Sequence, residues 1–141
     1  MILESSTMEF SDAQSLTITT GETVATNTID LQVADPNQGA GTPVYLVISV
    51  NTTIVPTTSA GLYWELEDSV SGSAAWLPIL RGETKYNSTS GELDGGTTMF
   101  AGPIPAEHQR YLQLVYTSSV TTLSAGKMDA YLSLAPPRSW A

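Results

Sequence analysis

The 141-residue sequence contains no cysteine, one histidine and only five lysines and arginines. Without cysteine there is no disulfide, no thiol nucleophile, no iron–sulfur cluster and no thiolate zinc site. His108 stands alone, which excludes any centre built on two imidazoles. The missing thiols fit an oxidising or a reducing compartment equally. Charge is scarce, at 13% of residues, and one-sided, with fourteen acids and a net charge of −9. A polyanion is bound by Lys and Arg that displace its counterions, so no nucleic-acid partner is expected. A basic membrane-surface helix is excluded on the same ground. No apolar run approaches the ~20 residues of a membrane span, so no membrane partner is expected either. The opening MILESSTMEF has no basic stretch leading into an apolar one, so no secretory signal is expected.

The charge is also unevenly placed. Residues 1–80 hold nine acids and no base, whereas residues 81–141 hold five of each. A charge-polarised subunit follows if the first part of the chain forms one surface.

What is present argues for a folded, soluble single domain. Hydrophobic residues make up 41% of the chain, eleven residues are aromatic, and Ser and Thr are interspersed with Val, Ile and Leu. Apolar residues at helical spacing are nearly absent, but alternating runs recur between Gly, Pro, Asn and Asp. The clearest is 43–50, where Val44, Leu46, Ile48 and Val50 share one face. Tyr45 and Val47 make its other face apolar, which predicts a central strand opening at Pro43. In 62–67, Leu62, Trp64 and Leu66 point inward and Tyr63, Glu65 and Glu67 outward. Residues 111–117 repeat the pattern with Leu112, Leu114 and Tyr116. In 127–134, Met128, Ala130, Leu132 and Leu134 form the inner row and Lys127, Asp129, Tyr131 and Ser133 the outer. Weaker strands are expected at 15–20, 23–31, 76–80 and 97–101. Turns or loops are expected at 35–41, 71–73, 90–91 and 94–96, where Gly, Pro, Asn and Asp cluster.

This pattern predicts an all-β fold: an antiparallel two-sheet jelly roll or β-sandwich of about eight strands with extended terminal arms. The divisions are an N-terminal arm at 1–13, a jelly-roll domain at 14–134 and a C-terminal tail at 135–141. Two prolines stop the tail from extending a sheet.

No enzyme is expected. Glu65 and Glu67 lie about 7 Å apart on one strand face. Glycosidase carboxylates flank a sugar from opposite sides, so this pair reads as a solvated surface. Glu65, Glu67, Asp68 and Asp94 are oxygen donors suited to calcium, but no Asp-x-Asp-x-Asp-Gly loop organises them. Gly39-Ala40-Gly41 lacks the following Lys-Ser/Thr of a phosphate loop. His108, beside Glu107, falls in a connecting segment where a lone histidine is expected in solvent, and no Gly-x-Ser-x-Gly elbow is present. No cofactor and no metal are expected. Tyr63 and Tyr131 on outward faces and Trp140 in the tail fit a protein interface, packing under loops, or stacking on a sugar.

Three segments in order carry a family resemblance. They are Phe10-Ser11-Asp12-Ala13-Gln14 followed by Thr28-Ile29-Asp30-Leu31, the 41–50 strand, and Arg110-Tyr111-Leu112-Gln113-Leu114-Val115-Tyr116 before Ala125-Gly126-Lys127-Met128-Asp129-Ala130-Tyr131-Leu132. The chain resembles the jelly-roll capsid cement, or decoration, proteins of tailed bacteriophages, of the kind found on a Bordetella podophage head. The resemblance spans residues 1–134 and is poorest over 51–100. It implies a non-catalytic homo-oligomer, a dimer or trimer, on the outer surface of the virion capsid, where it bridges major capsid protein subunits. The contacts expected are Ile2, Leu3, Met8 and Phe10 from the N-terminal arm and Arg138 and Trp140 from the tail. The apolar groups would fill pockets on a neighbour and Arg138 would pair with a capsid carboxylate. The alternative is a carbohydrate-binding β-sandwich using Tyr63 and Trp140, and a more remote one is a hydrolase using Glu65 or Glu67.

Overall fold

The computed structural model describes residues 8–16, 21–31, 43–56, 61–86, 93–118 and 123–133. Ten strands run through them: β1 (Glu9–Ser15), β2 (Gly21–Val24), β3 (Ile29–Asp30), β4 (Tyr45–Pro56), β5 (Gly61–Ser69), β6 (Leu77–Arg81), β7 (Lys85–Tyr86), β8 (Thr98–Pro103), β9 (Tyr111–Ser118) and β10 (Leu123–Ser133). One sheet has the order β1-β10-β4-β8. The other is β2-β9-β5-β6, with β3 added to β9 and β7 added to β5. All pairings are antiparallel.

This is the jelly-roll winding. Counting β2/β3 and β6/β7 each as one interrupted strand leaves eight, and the first pairs with the last, the second with the seventh, the third with the sixth and the fourth with the fifth. The chain therefore behaves as one long hairpin rolled into two facing sheets.

The alternation read from the sequence places the core. Leu62, Trp64 and Leu66 of β5, Leu112, Leu114 and Tyr116 of β9, and Met128, Ala130 and Leu132 of β10 are all buried between the sheets. Trp64 meets Phe100 of β8 across the interior at 4.7 Å between ring centroids. Each such Leu or Met side chain removed from water stabilises the fold by roughly 1.5–3 kcal/mol. β4 is an inner strand, as its two apolar faces predict, and Val47 on its outward side is also buried.

Three expectations are corrected. Residues 9–13 belong to a strand rather than an arm, because β1 pairs with β10 from Glu9 onward. Alternation hides this strand: register shifts fall between Glu9 and Ser11 and between Ser11 and Gln14, and Ala13 sits at φ 47°. The bulge turns consecutive Phe10 and Ser11 both inward. Residues 23–31 are two short strands, not one. Between them Ala25 N–H still donates to Leu114 O and Asn27 N–H to Phe10 O. Finally, His108 is buried, not solvated, because the 104–110 connection folds back over the end of the sandwich. There Ile104 N–H donates to Val44 O, and His108 Nδ1 lies 3.2 Å from Gln109 O. Pro43 precedes its strand, and the expected strand residues 17–20 lie outside the described residues, as do Leu134 and the 35–41 and 90–91 loops.

Candidate interaction surfaces

The terminal residues expected to reach a neighbour separate into two groups. Phe10 is completely buried in the chain's own core and does not project to a partner. Met8 packs against that core from its edge, and its carbonyl accepts Leu132 N–H at 2.9 Å. Phe10 is therefore corrected to a structural residue, filling the space under β1, while Met8 is half-buried at its edge. Ile2, Leu3, Arg138 and Trp140 lie outside the described residues.

The segments that carry the resemblance bond to one another. Ser11 Oγ and Tyr116 OH are 2.9 Å apart in the interior, and Ser11 Oγ also donates to Gln14 Oε1. Gln14 in turn accepts Thr26 N–H and donates to Val24 O. Ala13 N–H donates to Asp129 Oδ1 at 2.6 Å, and Asn51 Nδ2 donates to the other oxygen. At the start of β9, Arg110 grips Asp30 through two bonds, of 2.7 and 3.0 Å, and lies over the Tyr111 ring. These motifs hold the bulged first strand and the broken second strand onto the fold.

Burial pushes the Tyr116 hydroxyl well above the ordinary tyrosine range, against the opposing effect of the Ser11 hydrogen bond, while the Asp129 charge adds to it. Above about pH 10 the unfolded chain releases this proton and the native chain keeps it, so rising pH favours unfolding. The group should lower stability by about 1.4 kcal/mol per pH unit there. Tyr116→Phe should cost about 1 kcal/mol at neutral pH and remove that part of the slope. Denaturant midpoints of both proteins across this pH range test it; parallel curves would refute it.

The outer face of the β2-β9-β5-β6 sheet carries the acid pair. Glu65 sits 3.6 Å from Arg81 and Glu67 accepts Gln113 Nε2 at 2.7 Å. Arg81 also lies 4.1 Å above the Tyr63 ring centroid, so one face of that ring is taken by a cation. This weakens both a sugar-stacking role for Tyr63 and an acid–base role for the two carboxylates, each of which is engaged by a cross-strand neighbour on one side of a sheet. Asp68 is buried and accepts Gln109 N–H. Among the described residues, no three His, Asp or Glu side chains converge on one point that would hold a metal.

The opposite face, on β1-β10-β4-β8, is troughed. A depression of about 330 Å³ is lined by Val47, Ser49, Asn51, Thr98, Asp129 and Tyr131. A second of about 220 Å³ shares Ser49, Asp129 and Tyr131 and adds Glu9 and Asp12. The outer-row alternation of β10 had marked Asp129 and Tyr131. The trough offers an aromatic ring, an amide and carboxylates, a lining suited to hydroxyl or cationic groups on a partner.

A third feature has no signal in the alternation. Beyond the β5–β6 hairpin a groove of about 560 Å³ is lined by Asp68, Val70, Ala74, Leu77, Pro78 and Ile79 among others. Val70 is 72% and Leu77 66% exposed, more than any other large hydrophobic residue among those described.

Fold and surfaces together define a two-sheet jelly roll with a troughed outer face on one sheet and an acid pair on the other. The family model Bbp16 matches residues 10–132, and the chain belongs to the Bbp16 family. That name points to a protein of a Bordetella phage. The matched span opens at Phe10 and closes at Leu132, the first and last residues of the core cluster. Among curated proteins, none matches the chain.

Proposed function

We propose that the protein is a bacteriophage capsid decoration, or cement, protein. It binds the outer surface of the head as a homo-oligomer, a dimer or trimer, and bridges neighbouring major capsid subunits. Membership of the Bbp16 family along nearly the whole jelly roll carries this reading. The low charge density and net negative charge also suit a partner packed at high copy number away from the genome. Many modest contacts made at once give a bound shell far higher avidity than one contact alone. Ile2 and Leu3, ahead of the core, are the apolar residues we assign to the neighbour.

The test is occupancy on purified heads. The protein should co-purify with intact virions at a copy number that is a simple fraction of the major capsid protein. The double variant Ile2→Asp, Leu3→Asp should keep its fold and lose occupancy. Absence of the protein from virions would overturn the reading. Full occupancy by the variant would remove these two residues from the interface.

A further inference from the structure

We propose that the trough on the outer face of the β1-β10-β4-β8 sheet binds an uncharged saccharide, with Tyr131 as the stacking ring and Asp129 and Asn51 as the pair that holds its hydroxyls. Binding of this kind is separate from the decoration role and is measured on the free protein.

The trough follows from side-chain size and register. Tyr131 of β10 pairs with Val47 of β4, and Val47 pairs with Ala101 of β8. Two residues along, Asp129 pairs with Ser49, and Ser49 with Thr98. Period two places Tyr131 and Asp129 about 7 Å apart on the outer side of β10, with Val47 and Ser49 beside them on β4. Short side chains on the inner strand thus lie below a tyrosine, and the face is hollow along β4. The depression of about 330 Å³ is of the size that small-molecule sites occupy.

Its polar groups are fixed before any ligand arrives. Asp129 Oδ1 accepts Ala13 N–H at 2.6 Å, and Oδ2 accepts from Asn51 Nδ2 at 3.0 Å. Thr52 Oγ1 donates to Asn51 Oδ1 at 3.0 Å, which sets the orientation of the amide. The β1 bulge holds Ala13 at φ 47°, a left-handed conformation that costs a residue with a Cβ, and this turn of the backbone aims its N–H at Asp129. A carboxylate has about four lone-pair sites, and the amide nitrogen carries a second hydrogen. These bonds therefore leave acceptor positions on Asp129 beside a donor on Asn51.

An acceptor next to a donor suits a sugar hydroxyl, which donates and accepts at once. An ammonium or guanidinium group carries donors alone and would meet the Asn51 N–H donor to donor. Half-buried Ser49 and exposed Thr98 add hydroxyls to the same lining. Tyr131 supplies the apolar part, because the negative face of an aromatic ring attracts the polarised C–H groups on the flat side of a sugar ring. The neighbouring charge then selects among sugars. Glu9 and Asp12 line the adjoining depression, which shares Ser49, Asp129 and Tyr131. Carboxylates so placed repel sialic and uronic acids and admit uncharged rings. The opposite sheet lacks this combination, since Arg81 lies over the Tyr63 ring.

The test applies the full chain to an array of neutral, sialylated and uronic-acid oligosaccharides. Saturable binding to neutral glycans is expected, with none to the acidic ones. Tyr131→Ala and Asn51→Ala should each weaken the strongest neutral interaction about tenfold or more, while Tyr63→Ala on the opposite sheet leaves it unchanged. Denaturant midpoints of the variants check that they are folded. Independently of any variant, titrating that glycan into the isotope-labelled parent should shift the backbone amide signals of Ser49, Thr98 and Asp129. Failure of every neutral glycan to bind overturns the proposal. So does binding confined to acidic glycans, binding that survives in folded Tyr131→Ala, or a set of shifted amides that lies away from the trough. If N-acetylarginine amide shifts these signals and neutral glycans do not, the trough receives a basic side chain of a protein partner and the saccharide assignment falls.

Discussion

Gly126→Ala should leave little folded protein. Gly126 lies in β10 at φ +132°, a conformation that side-chain-bearing residues rarely adopt. A Cβ there would stand 2.7 Å from Ile54 Cα and collide with the Ile54 Cδ1 methyl. The Ile54 backbone is fixed in turn, because β4 is an inner strand and Ile54 N–H donates to Leu93 O. Neither side has room to yield. The glycine also sits where the β10–β4 register shifts twice, between Leu123 and Lys127, and its carbonyl accepts Leu16 N–H at 3.0 Å as the chain leaves β1. The conformational strain alone is worth about 1–3 kcal/mol and the overpacking about as much again. A loss of about 2–6 kcal/mol is a large part of the stability of a small domain. Denaturant unfolding of the purified variant, or its failure to accumulate as soluble protein, would show it. A midpoint within error of the parent would mean that the approach of the two strands is looser than described.

Phe10→Ala is expected to cost about 3–5 kcal/mol, the range for removing a fully buried aromatic ring. The residue is wholly inaccessible and belongs to the same cluster as Leu16, Tyr116 and Met128. Its neighbour Ser11 spans to Tyr116, so the void would open beside a buried hydrogen bond as well as among apolar groups. The variant separates two roles for this segment. A core residue loses stability in the free protein, measurable in denaturant with no capsid present. An arm residue leaves the free protein unchanged and loses only head occupancy. The second outcome would return residues 9–13 to the interface.

The strands with regular alternation were legible, and the reasons are local. Leu62-Tyr63-Trp64-Glu65-Leu66 and Lys127-Met128-Asp129-Ala130-Tyr131 present one apolar face each, and period two permits only one way of burying it. β1 was illegible because bulges break that period, and His108 because burial of a loop depends on what it folds against. The groove at Val70 and Leu77 was illegible for a related reason: two exposed apolar residues at the ends of neighbouring strands become one surface only when the hairpin closes.

The charge distribution marks the boundary between sequence and tertiary structure. By itself the sequence determined the excess of acid, the lack of thiol and paired-imidazole chemistry, and the β periodicity of the chain. Which of the nine acids of residues 1–80 meet the bases of residues 81–141 was decided by the fold. Arg81 lies beside Glu65, and Arg110 grips Asp30. Each pair joins a base of the second part to an acid of the first. A jelly roll pairs early strands with late ones, so charges separated along the chain become cross-strand neighbours. Register, and nothing in the order of residues alone, sets which of them meet.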